Sequence, residues 1–193
     1  MRHIITFFIC TMFALSLPAF SAKPDNKTAA EITNRLVSLY ESTALTFSKL
    51  EDKILDDVAR DISFTALSPE TTINKNERPN LFIGDKSKYD SAIPKSKAAN
   101  VAAYFFGRPA PLADEDEYIY GYAHDGALLC HAQIENITEE TENTATVQAA
   151  LVCEPEPDAK AKREGDLIVR LEKLQSAPLG WTVLSFTVDK TRK

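Results

Sequence analysis

The sequence predicts an α+β fold in which an N-terminal long helix, or two helices, and a short helix pack on an antiparallel sheet of about five strands. Three observations predict it. Apolar residues recur at three- and four-residue steps from Ile32 to Val58, with no glycine or proline before Pro69. Beyond residue 117 the pattern changes to two-residue alternation in successive runs separated by turn-forming residues. Two of those runs carry one cysteine each, and setting the cysteines opposite one another agrees with the alternation of both runs.

Residues 1–21 have the pattern of a secretory signal peptide. Arg2 supplies the positive start, residues 4–17 an apolar run too short for a comfortable membrane span, and Ala19-Phe20-Ser21 a small-x-small cleavage site. The mature chain is expected to begin near Ala22. An uncleaved anchor is the alternative, and Pro18 with the small residues directly after the apolar run favours cleavage. The chain is then periplasmic or extracellular. Cys10 leaves with the leader, so Cys130 and Cys153 remain, and an even count in an exported chain implies a disulfide.

About 170 mature residues suit one domain, residues 22–193, with a sizeable core. Lys and Arg number 22 against 28 Asp and Glu, for a net charge of −6. An acidic product without a basic patch argues against nucleic acid and against anionic lipid surfaces, and no stable membrane span remains after cleavage.

Each element follows from local signals. Thr28 is expected to cap the first helix, with Glu31 completing a capping box. The stripe Ile32, Leu36, Leu39, Tyr40, Phe47, Leu50, Ile54 and Val58 is its buried face, either unbroken or divided near residues 42–48. Residues 63–67 read as a short strand, and residues 68–95 as a long ordered loop with the apolar anchor Leu81-Phe82-Ile83. Ser96 caps a helix over 97–106 that stops at Gly107, with Val101, Tyr104 and Phe105 inward. A proline-rich connection ends in four acids, residues 114–117, read as a solvated strand flank rather than a Ca²⁺ site.

The sheet is read from two hairpins. With Cys130 opposite Cys153, Ala132 faces Leu151, Ile134 faces Ala149 and Asn136 faces Val147, a face that is apolar except for Asn136. His131–Val152, Gln133–Ala150, Glu135–Gln148 and Ile137–Thr146 form the wetter face, and the chain reverses near Thr141-Glu142. The bridge would close a loop of about 24 residues, worth roughly 3 kcal/mol on the chain-entropy model. Asp125-Gly126 is a strong hairpin signal, because both turn positions need positive φ. It sets Gly121 opposite Cys130, Tyr120 opposite His131 and Ile119 opposite Ala132. Residues 154–165 read as a solvated loop. A last hairpin pairs Leu174 with Trp181, Leu171 with Leu184, Val169 with Phe186 and Leu167 with Val188.

On this register His131, Tyr120 and Glu135 are candidate catalytic residues, since a histidine with phenol and carboxylate neighbours suits acid–base work near neutral pH. An ordinary sheet histidine satisfies the same pattern. Tyr118, Tyr120, Tyr122 and His131 are candidate binding residues, and packing of the tyrosines under the helices is the plainer alternative. No phosphate-cradling glycine loop, nucleophile elbow or HExxH motif occurs, two cysteines do not make a zinc site, and neither a metal nor a cofactor is expected.

The order of elements, closed by the Trp-led strand Gly180-Trp181-Thr182-Val183-Leu184-Ser185-Phe186, resembles NTF2-like domains. That resemblance implies helices on a curved antiparallel sheet around a cone-shaped pocket. It departs in residues 68–95, where a third helix would be usual, and the acidic catalytic residue of the isomerase members has no counterpart. The leading expectation is an exported, non-catalytic binding module of the cell envelope, of inhibitor, immunity or assembly-factor type, with a protein or small-ligand partner. A small NTF2-like isomerase or hydrolase using His131 and the tyrosines is the alternative, and a secreted host-directed effector a third.

Overall fold

The structure is a computed structural model, and it describes residues 23–113, 116–123, 129–154 and 160–190. The leader, Asp114-Glu115, the Asp125-Gly126 turn and residues 191–193 lie outside the described residues.

Helix α1 spans Asn26–Thr43. Its cap is Asp25 rather than Thr28: the Asp25 carboxylate accepts from the Thr28 N–H at 2.7 Å, which starts the helix nearly one turn earlier. That bond lowers the Asp25 pKa. Glu31 is released from any capping role and pairs with Arg35 one turn on. Ala29, Ile32, Leu36, Val37 and Leu39 form the buried stripe. The helix ends at Ala44 in the left-handed conformation, φ 54°. Helix α2, Asp52–Ile62, then buries Leu55, Val58, Ala59 and Ile62.

The two-helix alternative is therefore the observed one, and the break has a tertiary cause. Between the helices Phe47 exchanges backbone hydrogen bonds with Phe186 (2.8 and 2.9 Å), and Leu50 N–H donates to Leu184 C=O at 2.9 Å. A continuous helix would keep those groups to itself. Residues 63–67 form turns instead of the expected strand, with Ser63 Oγ back-bonded to Ala59 C=O and Phe64 buried.

The segment 68–95 is more structured than its composition implies. It holds strand β1 (Ile73–Asn74), single 3-10 turns at Pro79–Leu81 and Gly84–Lys88, and strand β2 (Ser91–Pro94). Phe82 of the anchor is buried, while Ile83 beside it is 71 % exposed. Helix α3 spans Lys95–Phe106, two residues earlier than a Ser96 cap would give, and ends at Gly107, φ 74°. A Cβ at Gly107 would lie 2.4 Å from Trp181 C=O, so only glycine fits there. Val101 and Phe105 are buried as expected, and Tyr104 is half-buried.

Strand β3 (Tyr118–Gly121) corrects the largest expectation. It pairs with β2, Tyr120 opposite Ala92 and Ile119 opposite Ile93, and forms a three-stranded sheet in the order β1-β2-β3. It does not pair with the strand that carries Cys130. The remaining strands, β4 (Cys130–Thr141), β5 (Thr144–Cys153), β6 (Lys162–Lys173) and β7 (Trp181–Lys190), form a separate antiparallel sheet in chain order.

Within that sheet the cysteine register is as the alternation implies. Cys130 opposes Cys153 in a disulfide with Cα atoms 4.0 Å apart, and the pairs run unbroken to Ile134–Ala149. Ala132 N–H points away from β5 and donates to Asn34 Oδ1 (2.7 Å), which makes the cysteines a non-hydrogen-bonded pair, the closer kind. A bulge then shifts the pairing: Asn136 meets Gln148 and Ile137 meets Val147, one residue off the expected partners. The shift turns Asn136 from the apolar face and brings Ile137 to it, and strand β4 continues to Thr141. β6 starts within the expected loop, at Lys162. At its other end Lys173, not Leu174, opposes Trp181, and Leu171 meets Val183; a bulge at Leu184 restores Val169–Phe186 and Leu167–Val188.

One face of the large sheet presents Ala132, Val147, Ala149, Leu151, Val169, Leu171 and Phe186 to the helices, and these join the helix stripes in one hydrophobic cluster. The other face is polar, laced by Arg163 with Glu135 and Asp166, and by Arg170 with Glu140. Both edges of this sheet are occupied. Phe47 and Leu50 bond the β7 edge, and along β4 the side chains of Glu41, Asn34 and Lys23 bond Leu129 N–H, Ala132 N–H and Ile137 C=O. No helix among the described residues is long and apolar enough to cross a membrane.

Candidate functional site

Alternation along β3 sends Ile119 and Gly121 one way and Tyr118, Tyr120 and Tyr122 the other. Ile119 is buried in the core, and Gly121 lies flat against Phe64, whose ring would sit 2.4 Å from a Cβ at that position. The tyrosines therefore face away from the helices rather than packing beneath them. They are met by the segment that precedes β2. Phe82 contacts the Tyr120 ring edge-on at 5.7 Å between centroids, and Tyr89 stacks on Tyr120 at 6.1 Å and meets Tyr122 at 5.5 Å. Lys86 lies 4.8 Å from the Tyr120 ring centre and donates to Asp116 at 2.9 Å, and the carboxylate raises the lysine pKa. Lys88 lies 5.0 Å from the Tyr89 ring centre. Tyr122, 54 % exposed, is the outer end of this cluster.

A cleft of about 350 Å³ follows β3, lined on one side by residues 119–122 and on the other by Arg60, Asp61 and Phe64. Four consecutive residues of a strand can line one cleft only if it runs along the strand's edge, since their side chains alternate between faces. The Asp61 carboxyl is pushed above the usual carboxylate range, first by partial removal from water and second by Asp57 one turn back. Other hollows lie elsewhere. One of about 440 Å³ is bounded by Arg35, whose guanidinium stacks 3.8 Å over the Tyr104 ring and donates to Tyr104 C=O. Another, about 550 Å³, is lined by Trp181, Leu179 and Lys23.

The structure keeps Tyr118, Tyr120 and Tyr122 together and separates them from His131. Tyr120 lies opposite Ala92 in the small sheet, His131 opposite Val152 in the large one, so the expected tyrosine–histidine pair does not form. His131 is exposed on the polar sheet face and lines none of the hollows described above. Glu135 is engaged by both terminal nitrogens of Arg163. Arg60, Asp61, Phe64, Phe82 and Tyr89 were not candidates from sequence. Only Phe82 had a signal, as an apolar anchor in a polar segment; Tyr89 and the α2 residues reach the site through pairing of β3 with β2. Among the described residues, no group of three His, Cys, Asp or Glu side chains is arranged to hold a metal ion. No protein-family profile, curated protein or solved structure matches the chain.

Proposed function

We propose that the protein is an exported, non-catalytic binding module of the cell envelope, of inhibitor, immunity or assembly-factor type, whose partner docks on the aromatic face of the small sheet. The observation that carries this reading is the tyrosine cluster: Tyr89, Tyr118, Tyr120 and Tyr122 gather on a face the helices leave uncovered, and Tyr122 is mostly in solvent. Rigid aromatic side chains with polar tips contribute large contact areas at low entropic cost, and few residues of this kind carry most of an interface's energy. The separation of His131, Tyr120 and Glu135 supports a binding role over acid–base catalysis, which needs them within hydrogen-bond reach. The helices α1, α2 and α3 that precede the four-stranded sheet support the NTF2-like resemblance, while residues 68–95, which hold β1, β2 and two 3-10 segments, depart from it.

The test is capture of partners from envelope extract by the oxidised, mature protein and by a Tyr89→Ala/Tyr122→Ala variant. Tyr122 is the exposed outer end of the cluster and Tyr89 is half-buried beside it, and circular dichroism of the variant checks that the fold is kept. A partner retained by the parent and lost by the variant is the expected result. Equal retention by both places the interface elsewhere and refutes the reading.

A further inference from the structure

Among the described residues, the parity of hydrogen bonding in the small sheet leaves one strand edge without a partner strand. Lys95 N–H donates to Glu117 C=O at 2.9 Å, which makes 95–117 a hydrogen-bonded pair and, by alternation, 93–119 and 91–121 as well. Tyr118 and Tyr120 therefore point their main-chain N–H and C=O groups away from β2. Among the described residues no strand pairs with β3 on that side. The contrast with the large sheet is informative, because β4 and β7 both have main-chain groups on their outer edges bonded. β1 offers only two residues. The β3 edge is the one with length, an adjoining cleft and aromatic side chains beside it.

Asp61 lines the cleft beside Arg60, Asp57 stands one helical turn back on α2, close enough to repel it, and Glu117 is exposed just before the start of β3, so acids outnumber bases around this edge. The basic groups nearby are already engaged: Lys86 with Asp116, and Arg60 in an interaction of its own. Two copies of this edge meeting across a two-fold axis would bring like charges together, so the rim disfavours a second copy as the occupant.

Resting on the binding-module reading above, we propose that the open edge of β3 takes up an extended, lysine- or arginine-bearing polypeptide segment of the partner as an added strand, its main chain bonding Tyr118 and Tyr120 and its basic side chains reaching Asp57 and Asp61. Main-chain bonds in such strand addition give affinity, and alternate side chains give specificity. The incoming segment's apolar residues meet the Tyr120–Tyr122 side of the cleft or Phe64.

The probe is a capped seven-residue peptide of alternating lysine and valine, titrated into the oxidised, isotope-labelled protein. Glutamate-for-lysine and alternately N-methylated versions are the comparison peptides. Amide exchange at Tyr118 and Tyr120 is read by NMR. The lysine peptide is expected to slow exchange at both amides, to bind roughly tenfold tighter than the glutamate peptide, and to lose binding when N-methylated. An Asp57→Lys/Asp61→Lys variant, altered only on the exposed helix face, reverses the preference. In a Tyr120→Pro variant the outward N–H is removed without touching a bond to β2, and peptide binding falls. Equal binding of both peptides, binding that leaves the two amides unprotected, or a concentration-dependent dimer that protects them without peptide would each overturn the proposal. If these fail while envelope capture still depends on Tyr89 and Tyr122, strand addition is wrong and the binding reading stands.

Discussion

Replacing both bridged cysteines with alanine, Cys130→Ala/Cys153→Ala, tests the register on which the large sheet is built. The residues are 23 apart in sequence, and the chain-entropy relation for a loop of that length gives about 3.4 kcal/mol at room temperature. The packing lost is small, because both side chains are only partly buried against the core. With an m-value of roughly 2 kcal/mol per molar urea for a domain of this size, the unfolding midpoint should fall by about 1.7 M. The assay is urea unfolding of the oxidised parent and the variant side by side, preceded by thiol titration of the denatured parent. The shift of about 1.7 M is an upper bound. The bridge closes an antiparallel hairpin whose strands would also meet without it, so a hairpin that persists in the unfolded chain reduces the effect. A midpoint shift under about 0.5 M with no free thiols in the parent would refute the entropic account, because it would mean the denatured ensemble already holds Cys130 and Cys153 together. Two free thiols in the parent under oxidising conditions would refute the pairing itself.

Other perturbations follow from single features of the fold. Gly121→Ala drives a Cβ into the Phe64 ring and should cost about 1–3 kcal/mol, with part of the loss recovered in a Gly121→Ala/Phe64→Leu double variant; additive losses in a thermodynamic cycle would deny that contact. Ala44→Gly relieves a left-handed residue at the end of α1 and should raise stability by about 0.5 kcal/mol, after the greater freedom of glycine in the unfolded chain is allowed for; destabilisation would mean Ala44 is held by packing its methyl. Phe186→Ala removes a fully buried ring that touches Phe47 and Tyr40 and should cost about 3–5 kcal/mol in denaturant unfolding, well above the effect of Thr187→Ala on the exposed face. Asp61 has a folded pKa above its unfolded value near 3.8, so its contribution favours folding at low pH and is lost as pH rises from that value through the raised folded one. Asp61→Asn should therefore be more stable than the parent at pH 7 and equal to it once pH falls below the ordinary carboxylate range; a less stable variant at pH 7 would show that a cation, not water loss, sets this carboxyl.

The legible parts of the fold are those where neighbours in sequence settle the geometry. The Cys130–Cys153 register was legible from the cysteine pairing together with alternation, because a one-residue slip would turn Ala132, Leu151 and Ala149 to solvent and the cysteines choose among the registers that keep the faces. The stripe of α1 and α2 and the stop at Gly107 were visible for the same reason: helical periodicity and a left-handed cap are local demands. The bulges at Glu135 and Leu184 were not, since an extra residue in a strand carries no compositional mark when both neighbours tolerate either face. Of the candidate site, the three tyrosines were legible as one face of one strand, and their surroundings were not.

Which strand β3 joins was decided by competition for edges, and that competition exists only in the assembled molecule. Alternation in residues 118–122 determined that three tyrosines share a face opposite Ile119 and Gly121. It left open whether the partner would be β4, reached through Asp125-Gly126, or a short run that composition hid in residues 68–95. In the folded chain α1 lies along the outer edge of β4, where Asn34 bonds the Ala132 N–H, while buried Ser91, Ala92 and Ile93 offer β3 a second edge. Main-chain hydrogen bonds are alike whatever strand supplies them, so side-chain packing from distant elements makes the choice. That choice separated the tyrosines from His131, set them against Phe82 and Tyr89, and left the other edge of β3 facing Asp61 across a cleft.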